Sequence, residues 1–212
     1  MNEQQIANAK LIDKELVAIG LTNIYLRAGI LAVTMKESGL IPIVESGYKT
    51  TPASRIRQIW PPKFKNMTNV QIDQLKWDEK AFFNYVYNGI VGNVPNTDDG
   101  YNFRGRGFNQ LTGRWNYKQY GLENSPELLG QPETAAKVCA QYFRQGIVAC
   151  QRTGKFLLRH KIVTTSQIKD LNQGALIAHD CNGGFGIWPP NDPTGGFTST
   201  LRYAPLMLDL ID

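Results

Sequence analysis

One helical run that ends abruptly at a glycine and a proline constrains this chain more than any other feature. The apolar residues of the run recur at spacings of three and four, at Ile24, Ala28, Leu31 and Met35. This period predicts one buried face of a helix that ends near Glu37. Gly39 can act as a left-handed cap, and Pro42 discourages the helix from resuming. The chain must therefore turn after Glu37 and continue as a loop through Thr50.

Most of the remaining chain also has helical periodicity, and very little of it alternates as strands do. We expect helices over 5–19, 52–60, 70–87, 132–143 and 166–179, a short helix from Ser125, and a terminal helix that Pro205 bends or ends. Thr22 and Thr51 are the expected N-caps of the helices that follow them. Segments rich in Gly, Asn and Pro at 88–100 and 186–196 should form loops. The sequence therefore predicts a mainly α-helical fold, with 1–212 as a single domain.

The composition is typical of a soluble globular protein and points to an anionic partner. Apolar residues make up 42% and charged residues 19% of the 212 residues, which argues against disorder. The net charge of +5 suits either nucleic acid or the anionic bacterial envelope, and it does not choose between them. No apolar run is long enough to span a membrane, and the N-terminus is not a standard secretory signal. The odd set Cys139, Cys150 and Cys181 indicates buried free thiols and synthesis in a reducing cytosol rather than a disulfide framework.

Histidine is too scarce to carry most kinds of catalysis. His160 and His179 are the only histidines, and neither has a Cys or His partner at the spacing of metal ligands. The same scarcity weakens a Ser-His or Cys-His nucleophile. We therefore predict neither a metal nor another cofactor, and carboxylates become the main acid–base candidates.

Two carboxylates flank the predicted turn, and their surroundings differ. Glu37 ends an aliphatic row on the helix, where apolar neighbours and the negative end of the helix dipole disfavour its charged form. Glu45 lies among the hydroxyls of Ser46 and Thr50 with Lys49 close by, so we expect it to be ionised. One carboxylic acid that keeps its proton beside a carboxylate that does not is the arrangement that acid–base catalysis uses. Two solvated surface glutamates are the alternative interpretation.

A glycine-rich segment from Tyr101 to Gly121 combines amides, a hydroxyl and flat aromatic side chains. Its glycines permit close approach of the backbone. Amides can pair with the hydroxyl and acetamido groups of a sugar polymer, and aromatic faces can cover a pyranose ring. The segment lacks the spacing of a phosphate-binding loop and does not match the RNP1 pattern of an RNA-binding strand. It therefore favours a polysaccharide partner.

Several motifs together resemble glycoside hydrolase family 19, particularly its bacteriophage branch of peptidoglycan-cleaving lysins related to plant chitinases. GRGFNQLTGRWNY is similar to the family's GRGxxQLTGxxNY. KESG is similar to the HESG around its catalytic acid, ESGYKT to its ENxNYS loop, and CNGG to its NGG turn. SPELLGQPETAA matches the stretch that follows the core motif. The resemblance covers about residues 26–202 and implies one catalytic domain without a separate wall-binding domain.

The resemblance implies a role for each matching residue. Glu37 would be the general acid, Glu45 the general base and Thr50 the hydroxyl that helps to hold the attacking water. The substrate-binding positions would be Gln110, Thr112, Trp115, Asn116 and Asn182, and Arg202 would organise the carboxylates. The implied fold is a lysozyme-like helical domain with a substrate cleft between two lobes. The implied reaction is hydrolysis of β-1,4 bonds in peptidoglycan with inversion at the anomeric carbon.

The chain departs from the family pattern, and other functions therefore stay open. Lys36 replaces a histidine, Tyr48-Lys49-Thr50 replaces Asn-Tyr-Ser, and Gly186 stands where chitinases often carry a glutamate. The alternatives to an endolysin are a chitinase, a non-catalytic glycan-binding protein of a virion, and a nucleic-acid binder. The resemblance favours a monomer that acts on peptidoglycan strands, without nucleic acid or stable membrane insertion. Its location would be the host cytoplasm before release to the cell wall, or the virion.

Overall fold

A computed structural model describes residues 1–182 and 196–212, and it is mainly helical, as the sequence predicts. The helices are α1 (Glu3–Ala18), α2 (Ile24–Ser38), α3 (Ala53–Ile59), α4 (Pro61–Phe64), α5 (Asn69–Trp77), α6 (Glu79–Tyr87), α7 (Asp99–Asn102), α8 (Arg114–Gln119), α9 (Pro132–Arg152), α10 (Leu171–Asn182) and α11 (Gly196–Ile211). Two-residue strands are β1 (Ile43–Val44) and β2 (Arg106–Gly107). Pro126–Gly130 and Thr165–Gln167 form 3-10 turns, and Phe156–His160 forms a single π-helical turn.

The chain divides into two compact units. The terminal unit comprises Met1–Pro42 and Gln131–Asp212, and the central unit comprises Ile43–Gly130. Within the part of the chain that the structure describes, no helix is both long and apolar enough to cross a lipid bilayer.

Helix α2 forms the centre of the terminal unit, where it packs against α10 and α11, while α1 packs against α9. Its buried face includes Leu26, Ile30 and Leu31, none of which has measurable exposure. Gly29 permits the crossing of α2 and α10, because a Cβ at this position would lie 2.6 Å from the carbonyl oxygen of Gly174. A glycine costs a helix about 1 kcal/mol relative to alanine, and close backbone packing offsets that cost here.

The two ends of α2 set the position of Glu37. Asn23 caps the N-terminus, since its side chain accepts a hydrogen bond from the backbone N–H of Leu26 at 3.0 Å. Gly39 adopts the left-handed conformation at the C-terminus, with φ of 62°, and donates to the carbonyl of Met35 at 2.9 Å. The predicted glycine cap is therefore confirmed, whereas the cap predicted at Thr22 lies one residue later. Glu37 occupies the last turn of the helix.

An aromatic core holds the central unit together. Its fully buried members include Phe64, Phe82 and Phe83, and Tyr48 and Tyr87 pack against them from the side. Burying such rings removes large apolar surfaces from water and contributes about 1.5–3 kcal/mol for each side chain. The phenol rings of Tyr48 and Tyr87 thus belong to the core, which leaves their hydroxyl groups at its edge.

Several predicted helix bounds were wrong. The expected helix over 70–87 is interrupted, because the side chain of Asp78 accepts from the backbone N–H of Ala81 at 3.0 Å and starts α6. Helix α3 begins after Pro52, and its N-terminus has no side-chain cap from Thr51. Helix α11 continues past Pro205 to Ile211, so of the two effects expected of this proline, bending or ending the helix, the second is wrong. Ala204 and Met207 are buried on either side of this proline, and their burial offsets the hydrogen bond that it lacks.

Two further helix bounds differ from the prediction, whereas the cysteines agree with it. Helix α9 extends beyond the predicted 143 to Arg152, because Ile147 and Cys150 continue its buried stripe. Helix α10 starts at Leu171 rather than near 166. Cys139, Cys150 and Cys181 are free and buried, as predicted. The loop expected at 186–196 lies outside the described residues except for its last position, and so do the two glycines of the NGG turn before it.

Candidate active site

A short antiparallel ladder fixes the backbone around Glu45 in the central unit. Ile43 pairs with Gly107 and Val44 with Arg106. The backbone N–H of Glu45 then donates to the carbonyl of Gly105 at 2.8 Å, which extends the ladder by one residue. Glu45 is thus held by main-chain hydrogen bonds directly against the glycine-rich segment, although the two lie 60 residues apart in sequence.

Three donors bind the carboxylate of Glu45. The hydroxyl of Tyr48 donates to Oε1 at 2.9 Å, and the hydroxyl of Tyr87 lies 3.0 and 3.1 Å from the two oxygens. The backbone N–H of Gly105 donates to Oε2 at 3.1 Å. Hydrogen bonds to an ionised acceptor are about twice as strong as neutral ones. This network fixes the orientation of the carboxylate before any substrate is bound.

The two phenols remain donors because their surroundings oppose ionisation. Burial, and then the charge of Glu45, raise the pKa of Tyr48 well above its usual range. The same two causes, in the same order, raise the pKa of Tyr87. Trp60 contacts both rings edge-on, with centroid distances of 5.0 and 6.4 Å. Aromatic packing therefore places the two hydroxyls, and burial keeps their protons on them.

Gly105 brings three polar side chains to one point. An ideal Cβ on this glycine would lie 2.9 Å from Oε1 of Gln110, 3.2 Å from Oε2 of Glu45 and 3.4 Å from Oγ1 of Thr112. A side chain at this position would force the end of at least one of these groups to move. Glu45, Gln110 and Thr112, which the sequence named separately, are thus neighbours in the central unit.

The hairpin after Gly105 holds Gln110 and Thr112 in place. The side-chain amide of Gln110 donates to the carbonyls of Ile43 at 3.0 Å and Gly107 at 3.1 Å. The hydroxyl of Thr112 donates to the carbonyl of Gln110 at 3.0 Å. Gln110 has a φ of 51°, a left-handed conformation that costs a residue other than glycine on the order of 1–3 kcal/mol. The surrounding hydrogen bonds maintain this strained backbone at the centre of the cluster.

Arg104 holds the backbone of the cluster in place. Its Nε donates to the backbone carbonyl of Glu45 at 3.0 Å, and its Nη1 donates to the carbonyl of Tyr101 at 2.7 Å. The guanidinium lies 4.0 Å from the centroid of the Tyr101 ring, at the distance of a cation–π contact. The side chain is therefore used to position Glu45 rather than to present a free charge.

Trp115 and Asn116 lie on α8, immediately after the cluster. Trp115 is 62% exposed, so its ring face is accessible to a ligand. Asn116 has a structural hydrogen bond instead, because its side-chain amide donates to the carbonyl of Thr112 at 2.7 Å. The start of α8 is anchored by Arg114, which pairs with both oxygens of the buried Asp99 at 2.6 and 2.7 Å and holds the pKa of that carboxyl below its usual range.

The surroundings of Glu37 in the terminal unit differ from the prediction. The side chain is exposed, and its Oε1 pairs with Nζ of Lys36 at 2.9 Å. The aliphatic row on α2 points into the core, and Glu37 lies beyond its end in solvent. The expected apolar environment is therefore absent around this carboxylate, and its ion pair belongs to the exposed class that contributes at most about 1 kcal/mol.

Tyr142 lies near two of the predicted residues in the terminal unit. Its hydroxyl donates to the backbone carbonyl of Asn182 at 2.9 Å. Burial raises the pKa of Tyr142, with smaller contributions from Cys139 and from the charge of Glu37. Tyr142 thus contacts the backbone of Asn182 and lies within electrostatic range of Glu37.

Two predicted residues have no contacts that fit their roles. Thr50 is exposed, and its hydroxyl makes no hydrogen bond to another described residue. Arg202 is exposed on α11 and forms no ion pair within 1–182 or 196–212. Gly186 and the two glycines of the NGG turn lie outside the described residues. Among the residues that are described, no three His, Cys, Asp or Glu side chains cluster as metal ligands would.

The site contains functional candidates that the sequence did not indicate, namely Tyr48, Tyr87, Arg104 and Gly105. Tyr87 lies 42 residues from Glu45, and no spacing rule connects the two. Gly105 carried a signal, because it lies in the glycine-rich motif, but the motif does not tell which glycine faces the carboxylate.

Neither the models of known protein families nor the curated proteins that were compared with this chain give a match.

Proposed function

We propose that the chain is a glycoside hydrolase that cleaves β-1,4 bonds of peptidoglycan with inversion, as an endolysin does. The convergence of Glu45, Gln110 and Thr112 on Gly105 supports this proposal most strongly. A fixed carboxylate, an amide and a hydroxyl can together hold a water molecule and the polar groups of an N-acetylated sugar. The exposed ring of Trp115 adds a surface on which a pyranose can stack.

Glu45 acts in this proposal as the general base. Its orientation is set by Tyr48, Tyr87 and Gly105, so the carboxylate needs no rearrangement when it removes a proton from water. Thr112 takes the part that the sequence suggested for Thr50. Because its hydroxyl hydrogen is donated to the carbonyl of Gln110, its lone pairs can accept a hydrogen bond from the attacking water.

Glu37 acts as the general acid and protonates the leaving oxygen. The exposed ion pair with Lys36 does not prevent this, because giving up such a pair costs at most about 1 kcal/mol. The proposal also includes a lysozyme-like arrangement in which a sugar chain occupies a cleft. An inverting pair of carboxyl groups has a separation of roughly 6.5–9.5 Å, which leaves room for one water molecule.

Digestion of purified peptidoglycan and of chitin, side by side, tests the proposal. Mass spectrometry of the reduced fragments identifies the sugar at the new reducing end, and proton NMR during the first turnovers gives its anomeric configuration. We expect muropeptides from peptidoglycan, with the α-anomer formed first because the β-linkage is inverted. The β-anomer as first product would rule out direct attack by water.

The other candidate functions give different results in the same experiment. Faster release of products from chitin than from peptidoglycan would identify a chitinase. Binding to either polymer without any product would indicate a glycan-binding protein. Salt-sensitive binding to DNA with no hydrolysis of either polymer would indicate a nucleic-acid binder.

A further inference from the structure

One segment of the terminal unit carries a larger net positive charge than the whole chain. Residues 134–169 contain seven Lys and Arg side chains and no Asp or Glu. Since the whole chain carries +5 and this segment +7, all other residues together carry −2. This segment of the terminal unit can therefore attract an anionic partner, as can residues 46–72 of the central unit, which contain five Lys and Arg side chains and no Asp or Glu.

Exposed apolar side chains lie at the centre of the same segment. Leu157 is 56% exposed and Leu158 is 73% exposed, and Val163 a few residues later is 60% exposed. Two adjacent exposed leucines are unfavourable in water, since apolar surface costs about 25 cal/mol per Å². A sugar polymer or a nucleic acid would be attracted by the cations but would gain little from these leucines. An anionic lipid surface would use both the cations and the leucines.

Two buried side chains anchor the turn that carries the leucines. Phe156 and His160 are buried at the two ends of the π-helical turn, with 1% and 9% exposure. The Nε2 of His160 also lies 2.9 Å from Oδ2 of Asp180 on α10. These anchors turn the residues between them outward. Arg152 and Lys161, both exposed, flank the turn in sequence.

We propose that the segment 152–163 docks on the surface of an anionic phospholipid bilayer. Leu157 and Leu158 enter the boundary between headgroups and acyl chains, while Arg152 and Lys161 lie against the lipid phosphates. Amphipathic surface elements bind membranes through this combination of buried apolar area and electrostatic attraction. The contact is peripheral and reversible, and it does not depend on the proposed hydrolase activity.

Co-sedimentation of the full chain with lipid vesicles tests this docking. One vesicle contains phosphatidylcholine alone, and the other contains phosphatidylcholine and phosphatidylglycerol in equal amounts. We expect binding to the anionic vesicles only, with weaker binding at high salt because salt screens the exposed cations. Equal binding to both vesicles, or none to either, would overturn the proposal.

Paired variants separate the apolar from the electrostatic contribution. Leu157→Ser with Leu158→Ser should weaken binding by roughly tenfold or more. Arg152→Glu with Lys161→Glu should weaken it by at least about 25-fold, because each cation near an anionic surface contributes about fivefold. Matched controls at exposed positions elsewhere are Val17→Ser with Val70→Ser, and Lys10→Glu with Lys65→Glu. The proposal is wrong if a control pair weakens binding as much as its test pair.

A measurement without any substitution completes the test. Hydrogen exchange of the amides from Phe156 to Val163 should slow when anionic vesicles are added and should be unchanged with neutral vesicles. Equal exchange in the presence and absence of anionic vesicles would contradict docking through this turn, even if the protein sedimented with them. Binding to purified peptidoglycan provides a separate control, which the serine pair should leave unchanged.

Discussion

The two candidate carboxylates lie in surroundings that differ in almost every physical respect. Glu45 is held by the hydroxyls of Tyr48 and Tyr87 and by the backbone of Gly105, which come from separate parts of the central unit. Glu37 lies on the last turn of α2, exposed, with the adjacent Lys36 as its ion-pair partner. The contacts of Glu45 form only when the central unit is folded, whereas the ion pair of Glu37 needs little more than the last turn of a helix.

This difference indicates that two glutamates proposed for one reaction can be positioned in different ways. A carboxylate fixed by three donors is preorganised, and its function depends on distant residues being in place. An exposed carboxylate beside a lysine is adaptable, and its environment can change when a ligand covers it. Substitutions should therefore affect the two residues alike in activity and differently in stability.

The largest expected effects are those of Glu45→Gln and Glu37→Gln. If both residues transfer protons, each change should lower the rate of peptidoglycan hydrolysis by about 10²–10⁴-fold, measured as initial release of reducing ends. Thermal unfolding should separate the two variants. Glu45→Gln should cost about 1–3 kcal/mol, since the new amide group cannot accept from all of its donors. Glu37→Gln should change the free energy of unfolding by no more than about 0.5 kcal/mol.

A matched control for both variants is Glu127→Gln, because Glu127 is exposed and lies outside the cluster. It should retain full activity and stability. Full activity of Glu45→Gln would show that the base is another residue. Equal loss of stability in the two glutamine variants would remove the contrast between a preorganised and an exposed carboxylate.

The next largest effect should follow Gly105→Ala. The added methyl group would lie 2.9 Å from Oε1 of Gln110 and 3.2 Å from Oε2 of Glu45, and both side-chain ends would have to move. Displacement of catalytic groups by about 1 Å can reduce a rate by about 10²-fold, so we expect a loss of that order in kcat. Stability should fall less, because the atoms in the way are the ends of flexible side chains.

Gly130→Ala is a control for the general effect of adding a methyl group in the central unit. The nearest atom to its Cβ would be Cγ2 of Val44 at 3.7 Å, an ordinary packing distance. Activity of this variant should be close to that of the natural chain. A larger loss of activity in Gly130→Ala than in Gly105→Ala would indicate that the convergence at Gly105 is not where the reaction occurs.

A smaller effect is expected from Tyr87→Phe. The ring and its packing remain, but Glu45 loses one of its donors, so kcat should fall about tenfold. Tyr85→Phe on the same helix is the control, since the hydroxyl of Tyr85 donates to the carbonyl of Lys63 at 2.6 Å. The value of kcat should stay unchanged in Tyr85→Phe. An equal kcat in the two variants would mean that Tyr87 does not act on the carboxylate.

The contrast between the two carboxylates also explains what the sequence could predict. The helix that carries Glu37 follows from a local period, and its end follows from Gly39, because caps depend on a few neighbouring residues. The interruption at Asp78 was a local signal too, but the apolar period on both sides of it obscured the cap. Helices and their ends are thus largely accessible from the sequence, except where two local rules compete.

The surroundings of Glu45 were not accessible in this way. The resemblance assigned Glu45, Gln110 and Thr112 to one substrate cleft, but it did not predict that they meet at Gly105. Tyr87 reaches the carboxylate only because α6 packs its aromatic face into the core of the central unit. Such long-range contacts depend on the whole unit. The apolar surroundings predicted for Glu37 are absent, because the row of aliphatic residues ends before the carboxylate.

The smallest expected effect decides which hydroxyl assists Glu45. Thr112→Val removes the hydroxyl beside Gly105 and should lower kcat by several-fold to about tenfold, since one positioned hydrogen bond is lost. Thr112→Ser keeps the hydroxyl and should restore most of the rate. Thr50→Val should have no effect, because Thr50 is exposed and makes no side-chain hydrogen bond among the described residues. The opposite result, an active Thr112→Val and an impaired Thr50→Val, would return the water-holding role to the loop after Glu45 and would imply that this loop rearranges when substrate binds.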